Sequence, residues 1–112
     1  MDIWNQAQAG PEGFREFPAG PVPADPKLRL IDARNPDEFN GELGHIDGAE
    51  LVPLPDVVPQ SERWDPELTY LLICRSGRRS QEAARSLLQL GFTRLLTLTG
   101  GMMAYREAEK KA

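Results

Sequence analysis

Cysteine is almost missing from this sequence: Cys74 is the only one in 112 residues. A monomer with one thiol holds no internal disulfide, no Cys-x-x-Cys redox pair and no cysteine-rich zinc site. That thiol acts alone or not at all. Histidine is equally scarce, with His45 as the only copy, so a metal centre or a Ser-His-Asp triad would be a stretch. No apolar run approaches the ~20 residues needed to span a bilayer, and no membrane partner is expected. The opening Met1-Asp2-Ile3-Trp4-Asn5-Gln6 has no basic patch followed by an apolar stretch, so it does not read as a secretory signal. The cytoplasm is the expected compartment. Excess positive charge is also lacking: a formal net charge of −4 argues against a nucleic-acid partner, which needs a basic face to neutralise phosphates.

What is present fits one compact domain. Apolar residues make up 40% and charged residues 27% of the chain, an ordinary balance for a folded globular protein. Residues 1–27 hold five of the ten prolines and three glycines and read as an irregular lead-in, with Phe14-Arg15-Glu16-Phe17 as one short strand. The domain proper is expected over residues 28–112.

There the signals sharpen. Leu28-Arg29-Leu30-Ile31-Asp32 is a short apolar run with a polar end, the mark of a mostly buried strand. Asn35-Pro36-Asp37-Glu38 then offers a cap, a proline at the first helical position and a glutamate three residues on, which predicts a short helix ending near Gly41. The glycine-rich turn Gly44 to Ala49 leads to Leu51-Val52-Pro53-Leu54, read as an edge strand, with a loop over 55–67. Leu68 to Ile73 is the strongest strand, an apolar run broken only by Thr69. A helix capped by Ser80 is predicted through Leu90, with Ala84, Leu87 and Leu88 on one face, stopped by Gly91 with Phe92 packing back. Arg94 to Leu98 is a further strand, Gly100-Gly101 a tight turn, and Met102 to Lys110 a closing helix. Strands alternating with helices predict an α/β fold: a small parallel sheet of five or four strands flanked by helices on both faces.

The chemistry concentrates in Leu72-Ile73-Cys74-Arg75-Ser76-Gly77-Arg78-Arg79-Ser80, a buried strand that breaks into a glycine-containing loop and then a helix. Backbone N–H groups of such a loop and of the helix start converge on one point and make an anion site. A thiol held there is pushed toward thiolate, the nucleophilic form, by those donors, by the helix dipole and by Arg75, Arg78 and Arg79. Taken alone, a cysteine ending a buried strand is more often a small apolar filler. Three arginines and a glycine within five residues reverse that reading, because an inert core thiol gains nothing from them. Cations at a helix start also oppose its dipole, and a bound anion would compensate.

These residues resemble the rhodanese-type sulfurtransferases, over roughly Leu28 to Tyr105. The resemblance rests on four motifs in order: Leu30-Ile31-Asp32-Ala33-Arg34 with Glu38-Phe39; Gly44-His45-Ile46-Asp47-Gly48-Ala49, with Asp47 where the family usually has proline; Ile73 to Ser80; and Leu98-Thr99-Gly100-Gly101 with Tyr105, where tryptophan is commoner. It implies that Cys74 takes sulfane sulfur from a donor such as thiosulfate and passes it to a thiophilic acceptor such as cyanide or a thiol. Arg75, Ser76, Gly77, Arg78, Arg79 and Ser80 would hold the sulfur-containing anion, and no metal or organic cofactor is implied. Asp32, Arg34 and Glu38 are expected as caps and a buried ion pair that support the loop, and His45 as a hydrogen bond pinning the glycine turn.

Two other classes stay open on sequence. The same fold supports Cys-x5-Arg phosphatases and arsenate reductases, but here the sixth residue after Cys74 is Ser80 and the arginine falls one place early, at Arg79. A sulfur-relay or protein-interaction module is the other, with the proline-rich lead-in and Trp4 as a docking element for a protein partner.

Overall fold

A computed structural model describes residues 3–111. Its core is a six-stranded sheet: β1 (Gln8–Ala9), β2 (Arg15–Phe17), β3 (Leu28–Asp32), β4 (Glu50–Leu51), β5 (Thr69–Ile73) and β6 (Leu95–Leu98). Their spatial order is β1-β2-β6-β5-β3-β4. Every neighbouring pair is parallel except β1 and β2. Among the described residues five helices flank it: α1 (Ile3–Gln6), α2 (Pro36–Phe39), α3 (Leu54–Ser61), α4 (Arg78–Gln89) and α5 (Gly101–Lys111). None is long and apolar enough to cross a membrane.

Alternation along the central strands sorts the core into two layers, because successive side chains of a strand point to opposite faces. Tyr70 and Leu72 of β5 join Ile31, Leu95 and the α4 residues Ala83, Ala84 and Leu87 on one face. Leu71 and Ile73 join Leu96, Leu98 and Met102 of α5 on the other. The expected α/β sandwich of helices on a mostly parallel sheet is therefore present. The strand count exceeds four or five because the lead-in folds back as β1 and pairs antiparallel with β2, through Gln8 with Glu16 and Ala9 with Arg15.

Helix α4 ends as its sequence foretells: the Gly91 and Phe92 N–H groups bond the Leu88 and Leu87 carbonyls at 3.1 Å each, a Schellman stop. Its start differs. Gly77, at φ +105°, turns the chain into the helix, and Ser80 sits inside the first turn rather than capping it. The chain from Leu54 to Ser61 is a helix, not the end of a strand and a loop. Pro53 and Pro55 fall at its start, where a missing N–H leaves no helical bond unmade, and Val57 and Ser61 are buried four residues apart on one face.

The lead-in is woven into the fold. Phe17 pairs with Leu98 and belongs to the same layer as Ile3, Ala7 and Met102, with Trp4 packed against it. Phe14 belongs to the opposite layer, beside Leu95. The Arg15 guanidinium lies 4.1 Å over the Trp4 ring and donates to the Trp4 carbonyl at 2.9 Å. Replacing Phe17 by alanine is expected to destabilise the domain by about 3–5 kcal/mol, as for other buried phenylalanines. Urea unfolding checks this; a midpoint within error of the wild type would mean that the lead-in is merely laid on the surface.

Candidate active site

Because the four central strands are parallel, their carboxyl ends lie on one edge, and the chemistry-bearing segments leave the sheet there. Asp32 pairs in register with Ile73, so the chain after β3 and the chain after β5 emerge side by side. The Ala33 N–H closes that step on the Ile73 carbonyl at 2.8 Å. Cys74 follows β5 with 1% of its surface exposed.

The loop from Cys74 to Gly77 curls around the sulfur. The Gly77 N–H points at Cys74 Sγ at 2.9 Å, and the Ser80 hydroxyl lies 3.5 Å from the same sulfur while donating to the Gly77 carbonyl at 2.9 Å. The first two carbonyls of the loop are held elsewhere: the Met102 N–H bonds the Cys74 carbonyl at 2.8 Å and the Met103 N–H bonds that of Arg75 at 3.0 Å. The free donors of the α5 start thus take up the loop's acceptors. Gly101 makes this approach feasible. It has φ +62°, and an added Cβ would stand 2.5 Å from both of those carbonyl oxygens. In the sequence Gly100-Gly101 reads as a tight turn and as part of the fourth motif; the signal for this close approach is a glycine pair at the start of a helix.

Among the described residues, Arg79 is the one of the three arginines with a side-chain partner. Its guanidinium makes a bidentate pair with Glu38 of α2, at 2.6 and 2.7 Å, across 41 residues of sequence. Arg79 is therefore bonded to Glu38. Arg75 and Arg78 are exposed, as is Ser76, while Gly77 and Ser80 are buried. The Arg79 guanidinium is the main reason the Glu38 carboxyl is held down at about 2, with the Asn35 N–H, at 3.2 Å, adding to the effect. Glu38 in turn raises the Arg79 guanidinium above its ordinary range.

Beneath this pair lies a buried one. Arg34, with 1% of its surface exposed, clasps Asp32 through two bonds of 2.9 and 2.8 Å. Its remaining donors reach the Glu38 carbonyl at 3.3 Å and the Gly44 carbonyl at 2.6 Å. A buried charge pair is tolerated when its spare donors are satisfied in this way. Arg34 thereby fixes α2, and α2 presents Glu38 to Arg79. His45 Nδ1–H donates to the Phe39 carbonyl at 2.9 Å, and its ring stacks on that of Phe39 at 3.6 Å. From α5, Arg106 donates to the Leu43 carbonyl at 2.7 Å, so the glycine turn is gripped from two sides. Among the described residues no cluster of His, Cys, Asp and Glu could hold a metal ion.

Two outcomes follow from this geometry. Gly101→Ala is expected to lower the melting temperature and shift the amide resonances of Arg75 to Gly77, because the loop carbonyls must move away from an added methyl; unchanged resonances would contradict the tether. For Glu38, a carboxyl lowered in the folded state stabilises fully above its unfolded value of 4.5 and loses that contribution as pH falls toward about 2. Glu38→Gln is expected to reduce stability near neutral pH and to flatten the acid limb between those two values. Parallel urea titrations at pH 7 and pH 3 measure the difference.

With the geometry in place, comparison with known proteins is informative. The family model described as the Rhodanese-like domain matches residues 22–108. YtwF of Bacillus subtilis, which carries a sulfurtransferase name, is 37% identical over 90 residues, covering 80% of this chain and 84% of its own. The thiosulfate sulfurtransferase GlpE of Shewanella oneidensis is 32% identical, over 72% of this chain and 78% of its own length. YrkF of Bacillus subtilis, named as a sulfur carrier protein, is 33% identical, but the chain spans only 43% of its length. The crystal structure of a rhodanese-related protein from Thermoplasma volcanium superimposes with a TM-score of 0.64 at 26% identity, over 72% of this chain and 78% of that one. A buried thiol ringed by the Cys74–Ser80 loop on the carboxyl edge of a mostly parallel sheet, matched by that family model over more than two thirds of the chain, means that this protein belongs to the rhodanese-like domain family.

Proposed function

We propose that the protein is a sulfurtransferase in which Cys74 carries the transferred sulfur as a persulfide, with thiosulfate as a competent donor and cyanide or a thiol as acceptor. The observation that carries this reading is the Gly77 N–H set 2.9 Å from Cys74 Sγ, with the Cys74 and Arg75 carbonyls occupied by α5. One donor, the Gly77 N–H, faces the sulfur, the thiol lies against Ser80 Oγ, and those two carbonyls are turned away.

The first step is attack of the Cys74 thiolate on the outer sulfur of thiosulfate. A sulfur–sulfur bond forms to Cys74, the bond to the sulfonate sulfur breaks, and its electron pair leaves with sulfite. In the second, cyanide attacks the outer sulfur of the persulfide and leaves as thiocyanate, returning the electron pair to Cys74. Charge balances in both steps, and no redox partner is needed. The exposed Arg75 and Arg78 would draw in the anionic donor and offset the leaving sulfite. Ser80, within reach of the sulfur and of the Gly77 carbonyl, would keep the loop closed. Asp32, Arg34, Glu38 and His45 would act by positioning.

A phosphatase or arsenate reductase would need an arginine clamp on a tetrahedral anion. Arg79, the fifth residue after Cys74, is committed to Glu38, which argues against that reading.

Incubation with thiosulfate is expected to add the mass of one sulfur atom to the intact chain. The gain should be absent in Cys74→Ala and removed by cyanide. Arg78→Gln should raise KM for thiosulfate about threefold to tenfold with less effect on kcat, as the loss of a charged hydrogen bond to substrate would. A wild-type chain that gains nothing from any sulfane donor would end this assignment.

A further inference from the structure

Coverage of the sheet is uneven on the face where α5 packs. Leu28 and Leu30 of β3 belong to that face, with Leu71 and Ile73 of β5, yet both are only partly buried, whereas Ile31 on the opposite face is fully buried. Two irregular segments flank these leucines in place of a helix: residues 22–26 of the lead-in and the turn at 46–48. Between them runs a groove of about 580 Å³ lined by Leu28, Leu30 and Ile46. The charged residues of its lining are Asp25 and Asp47, both carboxylates; Lys27 lines an adjoining, smaller cleft instead. The lead-in wall also has unspent backbone. Pro21, Pro23 and Pro26 hold it extended, because proline fixes its own φ and keeps the residue before it out of the helical region. Among the described residues the N–H and C=O groups of Val22 and Ala24 have no partner.

We propose that this groove binds an extended segment of a partner protein in which aliphatic side chains alternate with lysine or arginine. No residue of the Cys74–Ser80 loop lines the groove, and the proposal does not rest on the sulfur-transfer reading. Three features select the occupant. Half-covered leucines favour apolar side chains, because burial removes their remaining surface from water. Two carboxylates with no cation in the lining favour positive charge, and the net charge of −4 draws such a segment in. Unpaired N–H and C=O groups two residues apart on an extended chain favour a second extended chain, because in strand addition the bonding groups recur at that spacing along one edge. A small organic cation offers no backbone to meet them, and a broad folded surface offers no free strand.

The test uses the full chain and two fluorescein-labelled peptides, one of Val-Lys repeats and one of Val-Glu repeats. Fluorescence anisotropy at low salt is expected to show saturable binding of the Val-Lys peptide, about tenfold tighter than the Val-Glu peptide, with the gap narrowing as salt rises. Amide resonances that move on adding the Val-Lys peptide should concentrate at Val22, Ala24, Leu28, Leu30 and residues 46–48. Asp47→Lys should weaken binding severalfold, while Glu82→Lys, the same change of charge on α4 across the sheet, should not; equal losses would mean general attraction to an acidic protein and overturn the site. Ala24→Pro, which removes one N–H without altering charge, should weaken binding too, and an unchanged affinity overturns the pairing with the lead-in. Asp47 and Ala24 are both exposed, so these variants are expected to fold, which the amide spectrum also reports. No binding, or shifts confined to other residues, removes the groove as a docking site. If the same amides move with protein concentration and no peptide, a second copy of the chain is the occupant and the proposal fails.

Discussion

The structure turns on two hydrogen bonds: the N–H groups of Met102 and Met103 take the carbonyls of Cys74 and Arg75. A backbone loop has as many acceptors as donors, so it presents donors to a sulfur only if something else engages its carbonyls. The start of a helix is suited to that task, because its first N–H groups have no partner inside the helix. Here the helix that closes the fold supplies them, and Gly101 lets it come close enough, since a Cβ there would strike the carbonyl oxygens. The sulfur environment is therefore a property of β5, α4 and α5 together.

Charge is arranged in two linked tiers around this loop. The deep tier is Asp32 with Arg34, almost fully buried, whose spare donors end on the Glu38 and Gly44 carbonyls. The upper tier is Glu38 with Arg79. Arginine suits both places because its planar fork pairs with both carboxylate oxygens at once. The arrangement also answers the helix-start problem. Cations at the first turn of α4 oppose its dipole; Arg79 is compensated by Glu38, and Arg78 remains in solvent, where screening makes the opposition weak.

The residues before the family match matter to the same architecture. A sheet buried on both faces needs two covering layers, and α5 alone covers only part of one. Ile3, Ala7 and Phe17 add to that layer, while β2 protects the open edge of β6 and β1 in turn covers β2. In so small a domain each such side chain is a sizeable fraction of the net stability.

Much of this was legible from residues alone. The period-two and continuous apolar runs specify β3, β5 and β6, and Gly91-Phe92 specify the end of α4, since strand burial and helix stops are local chemistry. The Cys74–Ser80 loop was readable for the same reason, as was the pairing of Asp32 with Arg34, two residues apart. Other features had no local signal. Pro53 and Pro55 masked α3, because proline is equally at home in a loop and in a first helical turn, and Pro59 masked it because proline inside a helix reads as a breaker. Ser80 reads as a cap because serine favours that position, yet the left-handed backbone of Gly77 begins the helix earlier. The partner of Arg79 lies 41 residues away and the donors for the loop carbonyls lie on the last helix. What the sequence determined by itself was which segments form strands and where the thiol sits among cations; tertiary structure alone decided which cation is committed, which stay free, and which way the loop carbonyls face, because those outcomes depend on distances between segments that only the closed sheet brings together.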